Sequence, residues 1–321
     1  MTDTCTVRHP RTDEIPALKH LWDVVFGSDG MDAFFLKLFR VDLCIAVYIG
    51  NTLTAAGYLI PAGNLVSHGH FVPCVMIYAV ATYPEYRGRG YGEAVVRGLT
   101  ETGIESGFPA IVLCPSEDSL FEYYSTRSSM RDWFFCDEYS ISFDPDFECD
   151  MKLSVVSINE YITLRRKLLA NISYIDSPGS IFEYQKILCI QLGGGLFRLD
   201  SPAGPFCIVA ERQSEETVYI KEFLSPPGYT DADKHAALRA VAYELPAACY
   251  VIRSPVSGHS GFTVSSANSY DNSTCSSDVN ISKLNISNLT RRRFGMLSLK
   301  GSALISVNDS EYLPWYGLAF D

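Results

Sequence analysis

The sequence predicts an α/β protein of two consecutive domains, residues 1–147 and 148–321, each a mixed sheet flanked by helices. Three observations carry this expectation. At 321 residues the chain is too long for one average domain and too short for three. Cys74 to Ala81 and Ala110 to Cys114 are apolar at every position, as strands covered on both faces are. The order strand, loop, helix, strand also occurs once in each half, which implies a parallel crossover with the loop at the carboxyl end of its first strand.

In the first half, Leu18, Leu21, Trp22 and Val25 share one face of a helix expected from Glu14 to Phe26, and a second helix runs from Met31 to Phe39. Strands at Leu43 to Ile49 and Leu53 to Ile60 are joined by the hairpin turn Gly50-Asn51. The Cys74 strand passes through Thr82 to Tyr86 into a glycine-rich loop. A helix begins at Tyr91, with Ala94, Val95, Gly98, Leu99 and Thr102 on its apolar stripe. Glu93, Arg97 and Glu101 lie four residues apart on another face and are expected to pair in solvent. Pro109 stops this helix, and Pro115 ends the Ala110 strand.

In the second half, Met151 to Ser157 reads as a strand, Asn159 as the cap of a helix to about Asn171, and Ser180 to Leu192 as another helix ended by Gly193-Gly-Gly195. Strands at Leu196 to Leu199, Phe206 to Glu211 and Val218 to Leu224 precede a helix from Asp231 to Leu245 and a strand from Ala248 to Arg253. The Ser- and Asn-rich stretch at about 254–290 reads as a long surface insertion. Phe294 to Leu299 and Tyr312 to Phe320 are expected as closing strands, and Arg291-Arg-Arg293 as a solvated strand edge.

Composition narrows the function classes. The chain is 47% hydrophobic and 20% charged, and no apolar run reaches the roughly 18 residues of a membrane helix, so no membrane partner is expected. The opening residues lack the basic end and apolar stretch of a secretory signal, which points to the cytoplasm. The ten cysteines are scattered without a Cys-x-x-Cys pair, and several (Cys44, Cys74, Cys114, Cys207, Cys249) sit in strand-like runs. They are expected to be reduced core residues, with no metal site. A net charge of −11 opposes a nucleic-acid partner and suits a cationic substrate. The oligomeric state is left open.

The chemistry concentrates at Val80-Ala-Thr-Tyr-Pro-Glu-Tyr-Arg-Gly-Arg-Gly-Tyr-Gly-Glu93. Gly88, Gly90 and Gly92 remove side chains that would hold a ligand off the backbone, and they allow the positive φ angles that turn successive N–H groups into one concavity. Such a nest at a helix N-terminus binds a pyrophosphate, and Arg87 and Arg89 add charge beside it. The loop lacks the Gly-Lys-Ser/Thr ending of a nucleotide hydrolase and the Gly-x-Gly-x-x-Gly spacing of a dinucleotide fold. In the second half the matching turn is Leu224-Ser-Pro-Pro-Gly-Tyr229. Its adjacent prolines offer no N–H donors, so no cofactor is expected there.

On these residues the chain resembles the GCN5-related N-acetyltransferases (GNAT). Arg87-Gly88-Arg89-Gly90-Tyr91-Gly92 fits their Arg/Gln-x-x-Gly-x-Gly/Ala signature, and Val80-Ala-Thr-Tyr-Pro fits the strand exit before it. The resemblance spans roughly residues 5 to 145 and is specific in its middle third. It implies a partly splayed sheet in each of two tandem domains, and acetyl-CoA as co-substrate for transfer to an amine acceptor.

By the same resemblance, the backbone of Tyr78, Ala79, Val80, Ala81 and Thr82 would bind the pantetheine arm. Arg87, Gly88, Arg89, Gly90, Tyr91, Gly92 and Glu93 would bind the pyrophosphate. The family's tyrosine acid falls on Tyr124, with Tyr123 as the alternative, because Ser128-Ser129 stands where Gly-Phe is usual. A phenol can protonate the departing thiolate. The whole layout is similar to tandem acetyltransferases of the enhanced intracellular survival type, shortened by their extra C-terminal domain. That likeness makes the Asp321 terminus a candidate base or anchor, beside the plainer reading of a closing strand. The Ser128-Ser129 departure also motivates a second function class, a non-catalytic CoA-binding or scaffold protein with a decayed acceptor site.

Overall fold

The computed structural model describes residues 4–143, 149, 151–256, 285–300 and 313–318. The first half runs β1 (Cys5–Arg8), α1 (Ile15–Phe26), α2 (Met31–Lys37), β2 (Cys44–Ile49), β3 (Thr52–Ser67), β4 (His70–Thr82), α3 (Tyr91–Glu105), β5 (Ala110–Leu113), α4 (Asp118–Arg127) and β6 (Arg131–Ser142). The second runs β7 (Leu153–Val155), α5 (Ile158–Leu168), β8 (Tyr174–Asp176), α6 (Gly179–Gln191), β9 (Gly195–Ser201), β10 (Gly204–Arg212), β11 (Thr217–Leu224), α7 (Asp231–Glu244), β12 (Cys249–Ser254) and β13 (Asn285–Leu299).

The expected mixed sheet flanked by helices is present, and the strands of both halves join in a single ladder: β1-β2-β3-β4-β5-β13-β6-β12-β11-β10-β9-β7, with β8 on β3. The junction is β13, antiparallel to β5 through Met296↔Leu113 and to β6 through Arg291↔Asp137. A strand from the end of the chain therefore fills the gap between two strands of the first half. The two predicted crossovers are both parallel pairs, β4 with β5 around α3 and β11 with β12 around α7.

Apolar burial follows the same plan. Leu18, Leu21 and Trp22 of α1 and Phe34 of α2 share one core with Tyr161 of α5 and Phe182 of α6, so the halves pack through a common interior. Val95 and Leu99 of α3 cover β4 and β5 on the other face, and Ala237, Leu238 and Val241 of α7 cover β11 and β12.

Several expectations need correction. Ser157, not Asn159, caps α5: its hydroxyl accepts from Glu160 N while Glu160 accepts from Ser157 N, a reciprocal pair that Asn159 lies too late to make. The hairpin β3–β4 extends well past Ile60, to Ser67↔His70. β13 starts at Asn285, inside the expected insertion, whose residues 257–284 lie outside those described.

Arg291-Arg-Arg293 sits mid-sheet, with guanidiniums on Asp137, Glu138 and Asp132 of β6. Glu93 pairs with Arg127 of α4 (3.3 Å), and among the described residues Arg97 forms no ion pair with it. Of the expected closing strand, residues 313–318 form one bridge, Trp315 to Tyr174.

Glu222 anchors that last segment. Its carboxylate, fully buried, accepts from Tyr161 Oη (2.8 Å), Arg165 Nε (3.0 Å) and Trp315 Nε1 (2.8 Å). Arg165 also donates to the carbonyls of Ile175 and Tyr316. Gly317 fits there only without a side chain: at φ +80° a Cβ would stand 2.3 Å from Glu222 Oε1 and 2.7 Å from Arg165 Nη2.

Candidate active site

The site begins where β4 and β5 part. Their pairing ends at Ile77↔Leu113, while β4 continues to Thr82 along β3. Opposite Gly57 the register slips: Ala56 faces Ala81 and Tyr58 faces Tyr78, so β4 carries an extra residue in a bulge. Ala79 in that bulge has φ 47°, a conformation that residues with a Cβ rarely adopt. The outcome is a cleft of about 770 Å³, with Tyr78, Ala79 and Val80 on one wall and Cys114, Pro115 and Ser116 on the other.

Tyr124 of α4 reaches this cleft and Tyr123 does not line it. Tyr124 is 8% exposed, and burial, with Tyr123 beside it, pushes its phenol up to about 12. Its hydroxyl makes no hydrogen bond with the described residues, and the raised value keeps it protonated and able to donate. Tyr123 instead turns toward the start of α3, its hydroxyl 3.8 Å from where a Gly92 Cβ would stand and its ring under Arg127. Ser128 is the C-cap of α4 and returns its hydroxyl to the Tyr124 carbonyl.

The glycine loop does not line the cleft; it is reached along β4 past Ala81 and Thr82. Arg87 Nε donates to the Thr82 carbonyl (3.2 Å) and Arg89 Nη2 to the Glu85 carbonyl (3.1 Å), which fixes both arginines at the exposed turn. Gly88 (φ 76°) and Gly90 (φ 81°) are left-handed, and a Cβ on either would meet nothing within 4 Å. Gly90 caps α3 with no side chain.

The first amide to close a helical bond is Ala94 N on the Gly90 carbonyl. None of the N–H groups of Gly88, Arg89, Gly90, Tyr91, Gly92 and Glu93 donates to an acceptor among the described residues. Six consecutive unused donors at the positive end of a helix dipole, around open space, fit a diphosphate. The start of α7 is closed instead: Thr230 Oγ1 accepts from Asp233 N, and Asp233 accepts from Thr230 N.

The far side of the cleft belongs to the second half, and none of it was singled out from sequence. Tyr184 of α6 bonds its hydroxyl to that of Tyr78 (3.2 Å), and Leu188, Glu211 and Lys221 also line the wall. One signal was available. Lys221 and Glu222 are consecutive charges within the apolar run Val218 to Leu224, where uncompensated charge is costly. Asp321 lies outside the described residues. Among the described residues no group of three or more His, Cys, Asp or Glu could hold a metal, and no helix is long and apolar enough to cross a membrane.

Residues 6–127 match the family model of the acetyltransferase (GNAT) domain. Three solved structures are similar in fold over most of the chain. A GCN5-related N-acetyltransferase from Kribbella flavida is 16% identical, covering 93% of this chain and 71% of its own, at a TM-score of 0.59. One from Anabaena variabilis is 15% identical over 92% and 73%, at 0.62. Eis1 from Mycobacterium abscessus is 12% identical over 92% and 73%, at 0.56. No curated protein matches the chain significantly.

Proposed function

We propose, from the match of residues 6–127 to the acetyltransferase (GNAT) family model, that the chain transfers acetyl from acetyl-CoA to a primary amine of a small molecule or peptide by direct attack. The observation that carries this is the run of unused amides from Gly88 to Glu93 at the mouth of α3. Those amides, with Arg87 and Arg89, would hold the diphosphate, and the splayed backbone from Tyr78 to Thr82 would guide the pantetheine arm toward the cleft.

The amine nitrogen forms its bond to the thioester carbonyl carbon, the C–S bond breaks, and the departing thiolate accepts a hydrogen bond from the Tyr124 hydroxyl. With its phenol near 12, Tyr124 keeps that proton at any physiological pH. Full transfer to a thiolate of ordinary basicity, near 8.5, is uphill, so its role is a hydrogen bond that strengthens as charge grows on sulfur. Backbone amides near Val80 would receive the oxyanion, and the Asp321 carboxylate would take the proton lost by the amine. The clamp on Trp315, Tyr316 and Gly317 supports that last assignment, since it fixes the backbone at Gly317, four residues before Asp321 in the sequence.

The Ser128-Ser129 departure, which motivates a non-catalytic reading, has a packing role. Ser128 caps α4, and Ser129 Oγ bonds Ser298 Oγ of β13 (2.7 Å). Calorimetric titration with acetyl-CoA, followed by thiol release with an amine panel, tests the proposal. Saturable binding with turnover is expected, and no binding overturns it.

A further inference from the structure

Lys221 and Glu211 line the same cleft as Tyr78 and Tyr124, although both come from the second half. Lys221 Nζ lies 2.7 Å from Glu211 Oε1, with side chains only 7% and 8% exposed. Glu211 is fully engaged, because its other oxygen accepts from Gln185 Nε2 (3.3 Å) and Cys189 Sγ (3.4 Å). Lys221 is not. Its ammonium has three N–H donors, and among the described residues only Glu211 takes one. Buried donors left unused are costly, which makes this the place in the cleft where an added oxygen gains most.

The backbone explains how a lysine comes to be there. Val209 faces Glu222 and Ala210 faces Ile220, so Lys221 is the extra residue of a bulge in β11. Neighbours on a regular strand point to opposite faces, and a bulge suspends that rule. Both charges thereby reach the side of α5 and α6: Glu222 meets Tyr161 and Arg165, and Lys221 meets Glu211 beside Gln185 and Cys189. The wall nearby is aromatic or aliphatic, with Trp22, Tyr184 and Leu188. The ammonium is therefore the one cation that the described residues offer along this lining.

We infer that Lys221 is the acceptor-recognition residue of the cleft. It binds the carboxylate of an acceptor whose free amine lies at the Tyr78 to Val80 end, so the acceptor class is the amino carboxylates and not the polyamines. The inference rests on the acyltransfer reading above. A polyamine reaching this wall would set a second cation against Lys221, whose counter-charge Glu211 also accepts from Gln185 and Cys189; the lining's other carboxylates, Asp29 and Asp32, lie apart at the start of α2. The cationic acceptor suggested by the net charge of −11 is thereby narrowed to a zwitterion.

The test is acetyl transfer from acetyl-CoA to a series of ω-amino carboxylates of three to seven carbons, each matched with the alkylamine lacking the carboxylate. Wild type should favour the best carboxylate over its match by about tenfold or more in kcat/KM, carried by KM, as one charge-assisted hydrogen bond would give. Lys221→Met combined with Glu211→Gln removes both charges without stranding either, and should abolish the preference while leaving the KM for acetyl-CoA within about twofold. Lys221→Arg, with Glu211 retained, should keep the preference.

Equal use of both amines by wild type, or a preference that survives in the double variant, overturns the inference. So does a wild type that binds acetyl-CoA but acetylates only amines without a carboxylate. A wild type that fails to bind acetyl-CoA in calorimetry defeats the acyltransfer reading, and this inference with it, so the two failures are told apart.

Discussion

Gly90→Ala separates the ligand role of the loop from its conformational role, because the same helix carries a matched control. Gly90 has φ +81° at the start of α3, and Gly107 has φ +87° just past its end. At both positions an added Cβ would meet nothing within 4 Å. Forcing an L side chain into the left-handed region costs about 1–2 kcal/mol, so both variants should lose similar stability, about 2–4 °C of Tm per kcal/mol in a chain of this size.

Only Gly90 borders the run of unused amides. If the methyl or the backbone's escape from the left-handed region removes one amide from a diphosphate oxygen, the loss is about 1.5–3 kcal/mol, a Kd for acetyl-CoA raised roughly ten- to a hundredfold. Gly107→Ala should leave that Kd within about twofold. S-acetylpantetheine, which has no diphosphate, should bind both variants as it binds wild type. Isothermal titration and thermal melts on the same samples decide the matter. Equal Kd values for acetyl-CoA in the two variants would refute the claim that these amides hold the diphosphate.

Tyr124→Phe should lower kcat by about a hundredfold or more with little change in KM for acetyl-CoA, and Tyr123→Phe should stay near wild type, in steady-state thiol-release assays. Because the Tyr124 phenol is pushed up to about 12, it stays protonated below that pH; kcat should rise as the amine substrate deprotonates and show no fall up to pH 10.5, whereas a descending limb near 10 would point to an unshifted tyrosine. Glu222→Ala leaves the Arg165 guanidinium buried without its counter-ion and should destabilise the fold by about 3–5 kcal/mol in urea titration. Deleting Asp321 should depress kcat and shift its pH dependence upward without altering the melting temperature by more than about 1 °C; unchanged kcat would remove the terminus from the mechanism.

The legible parts of the sequence were those whose pattern is local. A strand apolar at every position, such as Cys74 to Ala81, and a glycine triplet before an amphipathic helix state their structure within a few residues. β6 was not read, because its buried positions are interleaved with Arg131, Asp132, Asp137 and Glu138, and these three carboxylates pair with Arg293, Arg291 and Arg292, more than 150 residues later. The distant half of the cleft escaped for the same reason. Nothing beside Tyr184 or Lys221 in sequence hints that each lines a cleft with β4, since the two halves meet through β13 and a shared core.

The halves share one construction and part at the start of the crossover helix. Each has a parallel pair around a crossover helix, and in each the first strand of that pair outruns its partner, β4 past Ile77 and β11 past Ile220. Each carries a bulge at that point, at Ala79 and Val80 in one and at Lys221 in the other. The difference lies in what the crossover helix does with its first amides. In α3, glycine leaves them unused. In α7, Thr230 and Asp233 consume two backbone donors, and Pro226 and Pro227 remove others before it.

A helix start closed in this way has no vacancy for a phosphate. At the bulge of that half a lysine stands where the first half has small apolar residues, and it faces the first half's cleft. The proposed division of labour, with the first half holding the acyl donor and the second reading the acceptor, rests on that contrast. Converting Thr230 and Asp233 to glycine and alanine would expose the α7 amides, yet the prolines would still deny the nest, so no second acetyl-CoA should bind; a stoichiometry of two in calorimetry would contradict this account.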